Sequence, residues 1–208
     1  IIKSADVITE KKDTSIIYKL ISEALVFQFD NNLGLNYRRD IERRFDFYGR
    51  IEEKLSTNWK MLDMYTNGGL QRKSLTVCMA PSNVGKTLLG TNLVANLIRN
   101  GHNGVYFTLE LAEELIARRI DSVVTNIPYH LLPQRKSEAI SKLKSMKTGE
   151  LYVREFLPSR ACALNLRTYL KEMQVIEGIT PDFLVVDYIQ LMKANSDRGI
   201  TNSYEKYK

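Results

Sequence analysis

The chain has 208 residues, 44% of them apolar, and a formal net charge of +6. This suits one α/β domain of ordinary size with an appendage, and no run of roughly 18 apolar residues exists to form a membrane-spanning helix. Its two cysteines, Cys78 and Cys162, have no Cys or His at metal-ligand spacing, no signal-peptide pattern follows Ile1, and a reducing cytosol is the expected compartment.

Ile1 to Lys12 mixes charged and small residues and reads as linker. In Thr14 to Phe29, Ile16, Ile17, Leu20, Ile21, Ala24 and Leu25 fall at helical spacing, with Asp13 or Thr14 as N-cap. This helix is too apolar to stand free, so it is expected to dock on its own domain or on a neighbouring subunit. Asp30 to Gly34 is a turn. Asn36 to Leu55 predicts a second, charged helix with Tyr37, Ile41, Phe45, Tyr48 and Ile51 or Leu55 on one face. Its Arg38, Arg39, Arg43 and Arg44 alternate with acids, the pattern of a solvated face. Trp59, Leu62 and Tyr65 lead to an Asn67-Gly68-Gly69 turn. Ser74 to Met79 (SLTVCM) is an apolar run that predicts a buried strand, with Cys78 as an inert core thiol.

Ala80 to Thr87 (APSNVGKT) follows that run, and Leu88 to Asn100 predicts a helix with apolar residues at helical spacing. Strand, glycine-bearing loop, then Gly-Lys-Thr opening a helix is the context a P-loop requires. Backbone N–H groups at a helix start point outward, and the helix dipole favours an anion there. Lys86 adds a charge able to reach β- and γ-phosphates, the Thr87 hydroxyl is a candidate Mg²⁺ ligand, and Gly85 lets the backbone approach closely. The candidate nucleotide-binding residues are Ala80, Pro81, Ser82, Asn83, Val84, Gly85, Lys86, Thr87 and Leu88. The general motif opens with Gly, and Ala80 stands there instead.

Asn100-Gly101 is a helix stop. Beyond it the pattern predicts strands over Gly104 to Leu109, Leu151 to Phe156 and Phe183 to Val186. Helices are predicted over Ala112 to Thr125, Gln134 to Lys147 and Leu164 to Glu177. Strands alternating with helices argue for a mostly parallel sheet with helices on both faces, whose ligands bind at the carboxyl ends of the strands. Lys193 to Asn202 is polar loop, and Tyr204 to Lys208 opens a further helix.

Glu110, Asp187 and the P-loop all fall at those strand ends. Asp187 closes an apolar strand, where a carboxylate either caps the strand or holds the shell of Mg²⁺. Glu110 is either a surface charge at a loop start or the group that orients the water attacking a γ-phosphate. Gln190, three residues past Asp187, is within reach of a γ-phosphate and a candidate reporter of its loss. Of the pair Arg118-Arg119, one is expected to snorkel or pair with an acid and the other to face a neighbouring site.

Asp187 to Met192 (DYIQLM) and Phe107 to Leu111 (FTLEL) resemble the Walker B stretch and the glutamate-bearing strand of DnaB-type replicative helicases. That family also places Ala first in its P-loop. LGLNYRRDIERRF, GHNGVYF, ELAEELIARRID and NSYEKYK resemble the replicative helicases of large tailed bacteriophages. The resemblance runs from about Leu33 to the C-terminus, is specific at the nucleotide site, and is looser between Ile127 and Pro181. It implies a RecA-like P-loop NTPase core, ATP and Mg²⁺ as cofactors, a homo-hexameric ring, translocation on single-stranded DNA, and a primase and other replisome proteins as partners, in the host cytoplasm if viral. Carried over by residue, Lys86 and Thr87 bind phosphate and Mg²⁺, Glu110 is the catalytic carboxylate, Asp187 supports Mg²⁺ and Gln190 senses nucleotide state. Residues 1–57 would be an N-terminal linker whose amphipathic helix docks on the adjacent subunit, and 58–208 the motor. The family's collar domain is expected before Ile1, and its arginine finger and DNA loops after Lys208. A RecA-type recombinase or another RecA-like ATPase such as a clock-type one, or a nucleotide-binding scaffold without turnover, would share this core; DYIQLM and the linker-like helix favour the helicase, and Glu110 favours turnover.

Overall fold

The computed structural model describes residues 34–50, 53–157 and 161–193. The apolar stretch Thr14 to Phe29 and the chain beyond Lys193 lie outside them. The chain divides into two compact units, Ile1–Ile51 and Glu52–Lys208.

In the first unit the charged segment forms helix α1, Ile41–Tyr48, shorter than the stretch to Leu55 that the periodicity predicts. Asn36 shapes the chain ahead of it: its side-chain oxygen accepts from the N–H groups of Arg38 and Arg39, an Asx turn in place of helix. Gly49 ends it. Arg44 stacks 4.0 Å over the Tyr37 ring, and Arg38, Arg39 and Arg43 are exposed as expected of a solvated face.

The second unit opens with a short antiparallel ribbon, β1 (Lys54–Leu55) with β2 (Leu70–Gln71), enclosing helix α2 (Lys60–Tyr65). Leu55 is therefore in a strand, not at the end of a helix. The turn between α2 and β2 falls at Asn67, Gly68 and Gly69, all at positive φ.

Helix α3, Lys86–Arg99, ends as the sequence indicates. Gly101, at φ 86°, donates to Ile98 and His102 donates to Leu97, a Schellman closure. Strand β3 (Gly104–Thr108), helix α4 (Glu113–Thr125), helix α5 (Lys136–Ser145), strand β4 (Leu151–Glu155), helix α6 (Ala163–Glu177) and strand β5 (Phe183–Asp187) follow. The sheet is parallel with order β4-β3-β5. Every residue of the central strand β3 is buried, as a strand covered on both faces must be.

Alternation along β3 sorts the core into two layers. Tyr106 faces Val94, Ala95 and Ile98 of α3 and Ile116, Ile120 and Val124 of α4. Val105 and Phe107 face Leu166 and Met173 of α6. The Phe107 ring meets Phe156 and Tyr169, each at 5.3 Å between centroids. Helices on both faces of a parallel sheet are thus as expected.

The run Ser74 to Met79 is not. It forms no strand and is exposed along its length, with Leu75 at 89%, Val77 at 66% and Met79 at 91%. Cys78 is exposed rather than a core thiol. An apolar run becomes a buried strand only where a sheet edge and a covering layer both receive it. Among the described residues those layers end at β5, whose Leu184 is itself 43% exposed.

Candidate functional site

Gly85 sits at the N-cap of α3 with φ 106°, a conformation that costs a residue with a Cβ dearly, and Asn83 precedes it at φ 63°. The helix begins at Lys86, so the N–H groups of its first turn have no intrahelical acceptor and the positive end of its dipole lies there. Lys86 is folded back onto its own loop: its Nζ donates to the carbonyls of Ala80 and Pro81, both at 3.0 Å. The same Nζ lies 5.9 Å from the centroid of the Tyr188 ring, beside the end of β5. Ser82, Asn83, Val84 and Leu88 are exposed, and Thr87 is half-buried in the first turn.

The register sets the other groups. Thr108 of β3 lies opposite Asp187 of β5, and Leu109 donates its N–H to the Asp187 carbonyl at 2.9 Å. Glu110 follows directly and is exposed. The turn carrying it is held by Thr108, whose Oγ1 donates to the Leu111 carbonyl at 2.7 Å and accepts from its N–H at 3.2 Å. Gln190 is exposed on a 3₁₀ turn, Ile189–Leu191. Asp187 is buried, and its Oδ2 accepts a 2.8 Å hydrogen bond from the Tyr106 hydroxyl. Burial, then the charge and hydrogen bond of Asp187, push the Tyr106 hydroxyl far above the usual phenol range, with Arg119 opposing. It stays protonated and acts as a donor.

A cavity of about 340 Å³ opens between α3 and α4, lined by Leu88, Thr91, Asn92, Arg119, Val123 and Tyr129 among others. Here the arginine pair divides. Arg118 stacks 4.1 Å from the Tyr129 ring centroid and donates to the Tyr129 carbonyl at 3.0 Å, so it holds an aromatic ring rather than an acid. Arg119 lines the cavity. Neither the cavity nor the bond from Tyr106 is readable from local pattern. The one signal is a tyrosine inside an otherwise apolar strand, since a buried hydroxyl requires a partner.

The donor set suits a magnesium nucleotide: a helix N-terminus, a lysine, a first-turn hydroxyl and one buried carboxylate, with phosphate supplying further oxygens. Residues 54–205 match the DnaB-like helicase C-terminal domain. The chain belongs to that family. It is 29% identical over 204 residues to the DnaB-like replicative helicase of Enterobacteria phage T4, covering 94% of this chain and 43% of that protein. It is 30% identical over 149 residues to the replicative helicase DnaB of Helicobacter pylori strain J99, covering 68% of this chain and 29% of that protein. The chain thus spans less than half the length of either DnaB relative. The RecA-like fold is shared with a solved DnaB-like replicative helicase described with its interactions with primase. That likeness has a TM-score of 0.65 at 15% identity and covers 99% of this chain and 50% of that one.

Proposed function

We propose that this DnaB-family chain is the ATP-hydrolysing motor part of a replicative DNA helicase, acting as a homo-hexameric ring on single-stranded DNA. The observation that carries the reading is the meeting of α3 and β5. Lys86 opens the helix with its Nζ 5.9 Å from the ring of Tyr188, the residue after Asp187, while Glu110 lies two residues past the end of the adjacent strand β3, whose Thr108 pairs with Asp187.

In this reading Ala80 to Leu88 wrap the phosphates, and Lys86 leaves the Ala80 and Pro81 carbonyls for the β- and γ-oxygens. Thr87 and Asp187 would hold a magnesium ion, which would supply charge neutralisation for phosphoryl transfer. Glu110 orients the attacking water, and Gln190 responds to the γ-phosphate. The cavity beside Leu88 receives the base, with Arg119 as its polar group. Residues 58–208 form the motor, and 1–57 a linker that docks on the neighbouring subunit. A primase partner is supported by the DnaB-like helicase described with its interactions with primase. Among the described residues no helix is long and apolar enough to cross a membrane. The proposed setting, taken from the replicative helicase reading, is the cytoplasm, that of the host cell if the protein is viral.

The test uses a fluorescent ATP analogue with Mg²⁺ on the chain, and ATPase assays on the assembled ring. Lys86→Ala abolishes binding. Glu110→Gln keeps affinity within a few-fold and loses most turnover, because phosphoryl transfer rests on positioning and charge. Undiminished hydrolysis by a Glu110→Gln ring would remove Glu110 from the mechanism. DNA association, measured against salt, is expected to weaken steeply as ions rise.

A further inference from the structure

Tyr106 is fully buried, and its ring fills the layer between the sheet and α3. The helix passes over it at Gly90, where a Cβ would lie 3.3 Å from the Tyr106 hydroxyl. That is tighter than ordinary van der Waals contact, so the small residue leaves the hydroxyl its place. From there the hydroxyl reaches across to β5 and donates to Asp187 Oδ2 at 2.8 Å.

Packing does not require the oxygen, since phenylalanine would fill the same layer without bringing a buried polar atom that needs an acceptor. What the hydroxyl adds is a fixed orientation of the carboxylate, with Oδ2 tied to β3. Gly90 stands one turn past Lys86 on the same helix, so the contact also sets the spacing between the P-loop helix and the end of β5.

We propose that Tyr106 is a positioning residue: its hydroxyl, admitted by Gly90, orients the Asp187 carboxylate for the magnesium of a bound nucleotide. This rests on the nucleotide reading above and adds a residue that the motif does not contain. Hydrogen-bond partners of metal-site carboxylates set metal affinity by roughly tenfold or more, and that is the effect expected here.

The experiment titrates Mg²⁺ into the chain with a fluorescent ATP analogue and reads the half-saturating Mg²⁺ concentration. Tyr106→Phe keeps the ring. It is expected to raise that concentration roughly tenfold while leaving metal-free nucleotide binding near that of the wild type, with a lower ligand-free melting temperature because the buried Asp187 carboxylate loses its donor. Gly90→Ala, which improves helix propensity, is expected to raise it too by pressing on the hydroxyl, and to add nothing in a Tyr106→Phe background, where that atom is gone. This lack of additivity is a readout that a merely structural role would not give, and the glycine variant keeps the test open if Tyr106→Phe fails to fold. An unchanged Mg²⁺ requirement in both single variants, with Asp187→Asn raising it, overturns the role of Tyr106 and leaves the nucleotide reading standing. A wild-type chain whose nucleotide binding ignores both Mg²⁺ and Asp187→Asn overturns the nucleotide reading, and the positioning role falls with it.

Discussion

Asp63 ties the ribbon ahead of the P-loop to helix α2. Its Oδ1 accepts from the N–H of Thr57 at 2.9 Å and from the Thr57 hydroxyl at 2.6 Å, and its Oδ2 accepts from Ser56 at 2.7 Å. Desolvation works against the charged form, but the hydrogen bonds from Thr57 and Ser56 outweigh it and hold the carboxyl below its ordinary value. A depressed carboxyl contributes stability that is present above the unfolded value, about 3.9, and is lost as pH falls through the folded value. Melts of the chain across acid pH should therefore show a decline beginning near pH 4, and Asp63→Ala should flatten that part of the profile. At neutral pH the same variant should cost about 1–3 kcal/mol, because it strands the donors of Thr57, which is fully buried.

Helices α3 and α4 form one layer with Tyr106, and Ile116 lies at its centre with no exposed surface. Ile116→Ala should cost about 2–5 kcal/mol in a denaturant titration. Val175, 85% exposed at the end of α6, should change stability by less than about 0.5 kcal/mol on substitution by Ala. These elements are legible in the sequence because each carries its own evidence. The stripe of α4 repeats at helical spacing, Asn100-Gly101 closes α3, and the run Gly104 to Thr108 is apolar on both faces. The stripe around α1 overstates that helix because periodicity does not reveal an Asx turn at Asn36 or the strand partner of Leu55. Ser74 to Met79 misleads because composition reports how readily a run forms a strand and not whether a neighbour awaits it.

The candidate site is legible where its parts are consecutive in sequence. Gly85, Lys86 and Thr87 sit side by side, and Glu110 and Asp187 each end an apolar run. Groups joined across the fold leave no such trace. Tyr106 and Asp187 are 81 positions apart, and the hydrogen bond between them follows only from the register of β3 against β5. The cavity brings Leu88 of α3 to Arg119 and Tyr129, which becomes visible only once two helices pack. The polar ends of the site can thus be read before the layer that supports them.

The exposed run Ser74 to Met79 also bears on how the chain behaves in a test tube. Six consecutive uncharged residues without proline, three of them large apolar side chains facing water, match the composition that stacks into cross-β assemblies. Such a segment is the first place where two copies would adhere as protein is concentrated. Light scattering of concentrated samples should rise with time and with the square or a higher power of concentration. Val77→Lys should delay that rise without moving the melting temperature, since a charge interrupts strand stacking and Val77 supports no core. Val175→Lys, at a valine that is more exposed but lies on a helix, should leave the turbidity as it was. Handling this chain at millimolar concentration thus depends on six residues that take no part in its core.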